Sequence, residues 1–255
     1  MIRKILALVS LLAAGSAAAC AAQDITLAAA ASLTDSLLQL QDQMQTSVGA
    51  QVFVNVGSSG TLRRQIEQGA PVDVFFAASG EDMDVLVKEG LVLSGTRKDV
   101  LRNSLVVIGD PNAKAVTGAE DLKSRIKSAK NVAIGNPDAV PAGRYAVEAL
   151  KKYGAYDLAQ NKLSLGGSVR EVIQYVQNGF VPLGFVFLTD VLSARPAGSV
   201  VSIFRFPAET FSAPIVYPIA VTASSKSRVN AQKLVEFLRS KAARDVFSKA
   251  GFQFP

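Results

Sequence analysis

Two hydrophobic rhythms alternate along most of the chain. Short β-branched runs predict strands at Ile25–Ala29, Val52–Val56, Val72–Ala77, Ser104–Ile108, Asn131–Ile134, Pro182–Phe187, Val200–Phe204 and Val216–Val221. Between them, apolar residues spaced by three and four predict helices over Leu33–Met44, Asp82–Lys88, Ala142–Tyr153 and Val172–Gln177, with a late pair at Val229–Leu238 and Ala242–Lys249. Strand–helix alternation of this kind implies sheets rich in parallel pairs and covered on both faces. In such sheets ligands gather beyond the carboxyl ends of the strands, where helices begin.

Four of those junctions share an unusual chemistry. Ala28–Asp35 brings small residues up to Ser32, placed as an N-cap before Leu33, Leu37, Leu40 and Met44. Gly57-Ser58-Ser59-Gly60 leads into Thr61–Ile66, its small residues allowing backbone N–H groups close to a ligand. Asp138–Gly143 carries Pro141 at a first helical position, with Gly154 as the stop. Gly166–Glu171 reads as a Ser168-x-x-Glu171 capping box, with Gly179 ending that helix. Each junction alone is ordinary structure. Together they offer unpaired helix-start amides and hydroxyls without charge, a donor set suited to an anion. A fully deprotonated tetrahedral oxyanion accepts at every oxygen and donates from none, so a pocket free of Asp and Glu suits it. Five or more such hydrogen bonds, at about 1.5–3 kcal/mol each, are enough for micromolar binding after association costs.

Composition narrows the alternatives. The 255 residues are 49% apolar and 19% charged, contain no His and have a single Cys. His-based triads and dyads, His-ligated metals, thiolate zinc sites and internal disulfides are thereby excluded. Residues 1–22 have a basic start at Arg3 and Lys4, an apolar stretch from Ile5 and a small-residue tail, the layout of a secretory signal peptide. A membrane anchor over Ile5–Ala22 is the alternative reading. Cleavage near Ala21 removes Cys20, whereas cleavage before it leaves a lipid-modifiable N-terminus. Loss of Arg3 and Lys4 lowers the formal charge from +6 to about +4, and no basic run with interleaved aromatics points to nucleic acid.

The junctions also resemble those of the periplasmic molybdate-binding proteins of ABC-type importers. The matching stretches are Ala29–Thr34, Ser58–Ala78, Asn103–Ile108, Asn136–Asp157, Ser168–Val176, Val181–Asp190 and Tyr217–Val221. The resemblance implies an α/β protein of two lobes with the type II periplasmic binding fold, each lobe a mixed, mostly parallel sheet flanked by helices. It implies one lobe from residues 24–102 with 207–255, the other from 103–206, and two hinge crossovers between them. It also implies a periplasmic, monomeric carrier that captures molybdate or tungstate, uses no cofactor or other metal, and delivers its ligand to an inner-membrane permease. Family contacts carry over onto Ser32, Ser59, Ala142 and Val169. The fifth contact, a Tyr hydroxyl, falls on Phe187, which cannot donate.

Rival readings remain at this point. Ser124 and Lys127 fit a Ser-x-x-Lys hydrolase pair, but they sit in a charged amphipathic segment and lack the accompanying motifs. A different anion, such as sulfate, phosphate or a small carboxylate, is the other rival; a carboxylate would call on an Arg clamp, and Arg63, Arg64, Arg144 and Arg170 are expected on the solvent face. A cytoplasmic regulator of the same fold lacks a DNA-binding module here and does not suit the leader segment.

Overall fold

The computed structural model describes residues 23–255, so the leader segment, the anchor alternative and Cys20 lie outside the described residues. Two sheets of five strands organise the chain. The first contains β1 (Ile25–Ala30), β2 (Val52–Gly57), β3 (Val74–Phe76) and β4 (Lys98–Arg102), and the second contains β5 (Leu105–Gly109), β6 (Val132–Gly135), β7 (Leu163–Gly166), β8 (Leu183–Phe187) and β9 (Val201–Arg205). The last strand, β10 (Val216–Val221), returns to the first sheet.

Strand order is β2-β1-β3-β10-β4 in one sheet and β7-β6-β8-β5-β9 in the other. In each, the first two pairings are parallel and the last two antiparallel. Both sheets are therefore mixed, as expected, with the antiparallel share reaching half of the pairings. The two orders superpose position for position: β1 answers to β6, β2 to β7 and β3 to β8. The chain passes between the sheets twice, at Arg102–Leu105 and Arg205–Val216.

Among the described residues, ten helices cover the sheets: α1 (Thr34–Val48), α2 (Ser59–Glu67), α3 (Gly80–Lys88), α4 (Ala119–Ser128), α5 (Pro141–Lys152), α6 (Tyr156–Ala159), α7 (Val169–Gln177), α8 (Leu188–Leu192), α9 (Arg228–Leu238) and α10 (Lys241–Lys249). Helix α1 buries Leu37, Leu40, Met44 and Val48 on one face and packs against α9 and α10. Its stop is Gly49, in the left-handed conformation at φ 74°. Pro141 takes the first position of α5, as expected. Close packing of α5 onto β6 requires Gly143, because a Cβ there would lie 1.9 Å from the Gly135 carbonyl oxygen.

Three local expectations need correction. The strand predicted over Val72–Ala77 is only Val74–Phe76, because Asp73 is bound into side-chain bonds with the Thr26 amide (2.9 Å) and the Ser225 hydroxyl (2.7 Å). Ser32 is not an N-cap: it lies inside a 3-10 turn, Ala31–Leu33, that runs into α1. The Ser168–Glu171 box is half formed. Ser168 Oγ accepts from the Glu171 amide at 3.3 Å, but the Glu171 carboxylate reaches one residue further back, to the Gly167 amide at 2.9 Å.

Candidate functional site

The parallel strands of both sheets end toward one another, and four of them feed directly or through a short loop into helices. Ala30, Ser58, Val140 and Ser168 are extended, with ψ between 115° and 166°, and the residues after them turn helical. Ser32 is thus the second residue of its turn, Ser59 the first of α2, Ala142 the second of α5 and Val169 the first of α7. Amides at these positions have no acceptor within their own helix. Each helix also presents the positive end of its dipole at the same place.

A small cavity of about 20 Å³ lies among these helix starts. Ser32, Ser59, Val169 and Phe187 line it, joined by Ser58 and Ala78. Ala142 does not line it; its neighbours Val140 and Pro141 do, and Ala142 is fully buried behind them. No Lys, Arg, Asp or Glu is among the lining residues. Larger hollows exist elsewhere, chief among them a groove of about 590 Å³ beside the two crossovers, but it is away from every one of these helix starts.

Each of the two serines is anchored by one hydrogen bond. Ser59 Oγ accepts from the Ala78 amide at 2.9 Å, which leaves the Ser59 proton free to be donated. Ser32 Oγ lies 2.9 Å from the Tyr217 hydroxyl, which belongs to β10. Phe187 closes the wall at the end of β8, 1% exposed, with its ring 5.9 Å from that of Tyr217 and 6.3 Å from that of Tyr145. Burial pushes the Tyr217 phenol well above its ordinary range, and the nearby Asp190 adds to this. Burial and then Glu81 push Tyr145 in the same direction. Both remain neutral donors.

Asp190 is the one buried carboxyl near this wall. Oδ2 accepts from the Phe187 amide at 3.0 Å, while Oδ1 has no hydrogen-bond partner among the described residues. Desolvation raises its pKa to about 7, against the opposing influence of Arg170 and of the Phe187 hydrogen bond. A protonated Asp190 is thus neutral at mildly acid pH, so little negative charge opposes an anion there.

The four arginines expected on the solvent face are half-buried, and three of them, Arg64, Arg144 and Arg170, bridge the cleft between the sheets. Arg170 of α7 pairs with Asp35 of α1 at 2.6 Å, and Arg144 of α5 pairs with Asp82 and Glu81 of α3. Arg64 donates to the Asp138 carbonyl at 3.0 Å, while Arg63 pairs with Asp82 at 3.2 Å. They line no part of the cavity. Ser124 and Lys127 are both exposed on α4, among the residues of an ion-paired surface. Sequence reasoning missed Tyr217 and Asn103. The available signal was a tyrosine inside the strand run Val216–Val221, since a buried hydroxyl must find a partner.

Comparison with known proteins accords with this architecture. The model of the bacterial extracellular solute-binding protein family matches residues 25–253. The molybdate-binding protein ModA of Escherichia coli is 34% identical over 231 residues, covering 89% of this chain and 88% of that protein. ModA of Haemophilus influenzae is 34% identical, covering 91% of both. Among solved structures, the periplasmic molybdate-binding protein of Azotobacter vinelandii aligns with a TM-score of 0.78 at 27% identity, covering 91% of this chain and 99% of that one. The sulfate-binding protein SubI of Mycobacterium tuberculosis shares the fold at a TM-score of 0.75 and 19% identity, covering 91% of this chain and 86% of that one.

Proposed function

The chain belongs to the bacterial extracellular solute-binding protein family, and we propose that it captures molybdate between two lobes and hands it to an ABC-type membrane permease. The observation that carries this reading is the donor-only cavity: helix-start amides and two serine hydroxyls, with no ionised side chain in its lining. Such a site binds a dianion through hydrogen bonds worth about 1.5–3 kcal/mol apiece, enough for micromolar or tighter affinity while still permitting release. The same chemistry accepts tungstate, whose tetrahedron is nearly the same size.

In this reading the lobes are residues 24–102 with 207–255 and residues 103–206. Ser32 and Ser59 come from one, Ala142 and Val169 from the other, and Phe187 acts as an apolar wall. Ligand that touches both lobes favours the closed form by its differential contacts, and closure is the signal a permease reads. The carrier works as a monomer outside the cytoplasmic membrane and performs no catalysis.

Transport of sulfate is the second reading, because a sulfate-binding protein shares the fold. Calorimetry with molybdate, tungstate, sulfate and phosphate separates the two. Tight heats for the first two and weak heat for sulfate are expected, since the larger tetrahedra fill a space that sulfate leaves loose. Equal affinities for sulfate and molybdate would remove the size argument.

A further inference from the structure

The missing phenol at position 187 has a counterpart across the cavity wall. Asn103, at the first crossover, accepts the Ser104 amide on Oδ1 at 2.9 Å. That fixes its amide orientation, so Nδ2 is the donor toward both Thr189 Oγ1 (2.8 Å) and the Tyr217 hydroxyl oxygen (3.0 Å). Tyr217 is fully buried, and its phenol oxygen therefore already accepts one hydrogen bond. Its single proton needs an acceptor, and among the described residues the remaining partner is Ser32 Oγ at 2.9 Å.

We propose that Tyr217 is a positioning residue for oxyanion binding: aligned by Asn103, it donates to Ser32 Oγ and so commits the Ser32 proton to the cavity. This rests on the oxyanion reading above and adds a residue to it. Ser59 is set the same way by the Ala78 amide, so both serines are oriented as donors before ligand arrives. A hydroxyl that accepts one hydrogen bond also donates a stronger one, because the chain polarises along its length. The phenol lost at Phe187 is in this way replaced indirectly, through Ser32, by a phenol on the neighbouring ring.

Calorimetry with sodium molybdate on five variants, the single Ser59→Ala among them, tests this, with the thermal midpoint of each ligand-free protein as the folding control. Tyr217→Phe is expected to weaken binding about fivefold and Ser32→Ala about tenfold. The double variant Ser32→Ala/Tyr217→Phe should match Ser32→Ala within about twofold, because the relay is already cut. Ser59→Ala/Tyr217→Phe should instead show the product of its two single losses. A purely structural role for Tyr217 would make both pairs multiplicative and would overturn the proposal, as would unchanged binding by Tyr217→Phe. In the wild-type protein, the shielded Tyr217 hydroxyl proton should shift downfield in the NMR spectrum on adding molybdate; no movement would count against the relay even if a variant failed to fold. No molybdate binding by the wild-type protein would remove the oxyanion reading itself, and this inference with it.

Discussion

The Gly60 amide donates to the Ala139 carbonyl at 2.9 Å, joining the start of α2 to the loop before α5 across the cleft. The approach is so close that a Cβ on Gly60 would sit 2.7 Å from that carbonyl oxygen and 2.9 Å from Ala139 Cα. Both atoms are backbone and have little room to yield. Gly60→Ala should therefore leave each half of the molecule folded while opposing the closed arrangement. We expect molybdate affinity to fall at least about tenfold with a thermal midpoint within a few degrees of wild type. Equal affinity in calorimetry would mean that the cleft need not shut this tightly.

Ser59→Ala removes a hydroxyl that lines the cavity and whose oxygen accepts from the Ala78 amide, leaving its proton free to be donated. It should weaken molybdate binding at least about tenfold, and it leaves the buried Ala78 amide without its partner. Titration calorimetry would reveal the loss. An unchanged constant would place the ligand elsewhere.

Phe187→Tyr adds a phenol to a ring packed between Tyr145 and Tyr217. Affinity for molybdate should stay equal or improve. A large loss would show that this wall has no space for a hydroxyl, and the crystal structure of the variant would display the displaced rings.

The helix starts at the cleft, and the stops of two of those helices, could be read from the amino-acid order because they announce themselves locally. Pro141, Gly154, Gly179 and the serine-rich Gly57–Gly60 each prefer a few backbone conformations whatever surrounds them. Two strands escaped, β4 and β7, and both are sheet edges. Lys98 and Asp99 in β4 are exposed, and β7 is four residues ending in glycine, so neither shows the apolar run of a central strand. Tyr217 escaped for the opposite reason. Inside Val216–Val221 it counts as one more core residue, and only the fold brings its hydroxyl to Ser32, 185 positions away. Arg64, Arg144 and Arg170 misled because a side chain just inside a helix has no way to announce a partner on the facing lobe.

Asp190 makes stability fall as pH rises. Its pKa is about 7 in the folded protein and near 4 when unfolded, so between those values the folded state holds a proton that the unfolded state has lost. The contribution is complete below about pH 4, is lost as pH climbs toward 7, and then levels off. Denaturant unfolding at pH 5 and pH 8 should show this decline, on the order of a few kcal/mol. Asp190→Asn keeps an acceptor for the Phe187 amide and should flatten the profile. An unaltered slope would assign the effect to another group.

Both links between the sheets run along one flank, where the Asn103 amide meets the Ile215 carbonyl at 3.1 Å. Two adjacent straps on the same side work as a pair of door pins: they let the halves swing about a single line and resist shearing or twisting. Every swing then brings the same peptide groups back to the same places, and fidelity for a featureless ion is a matter of repeatable alignment.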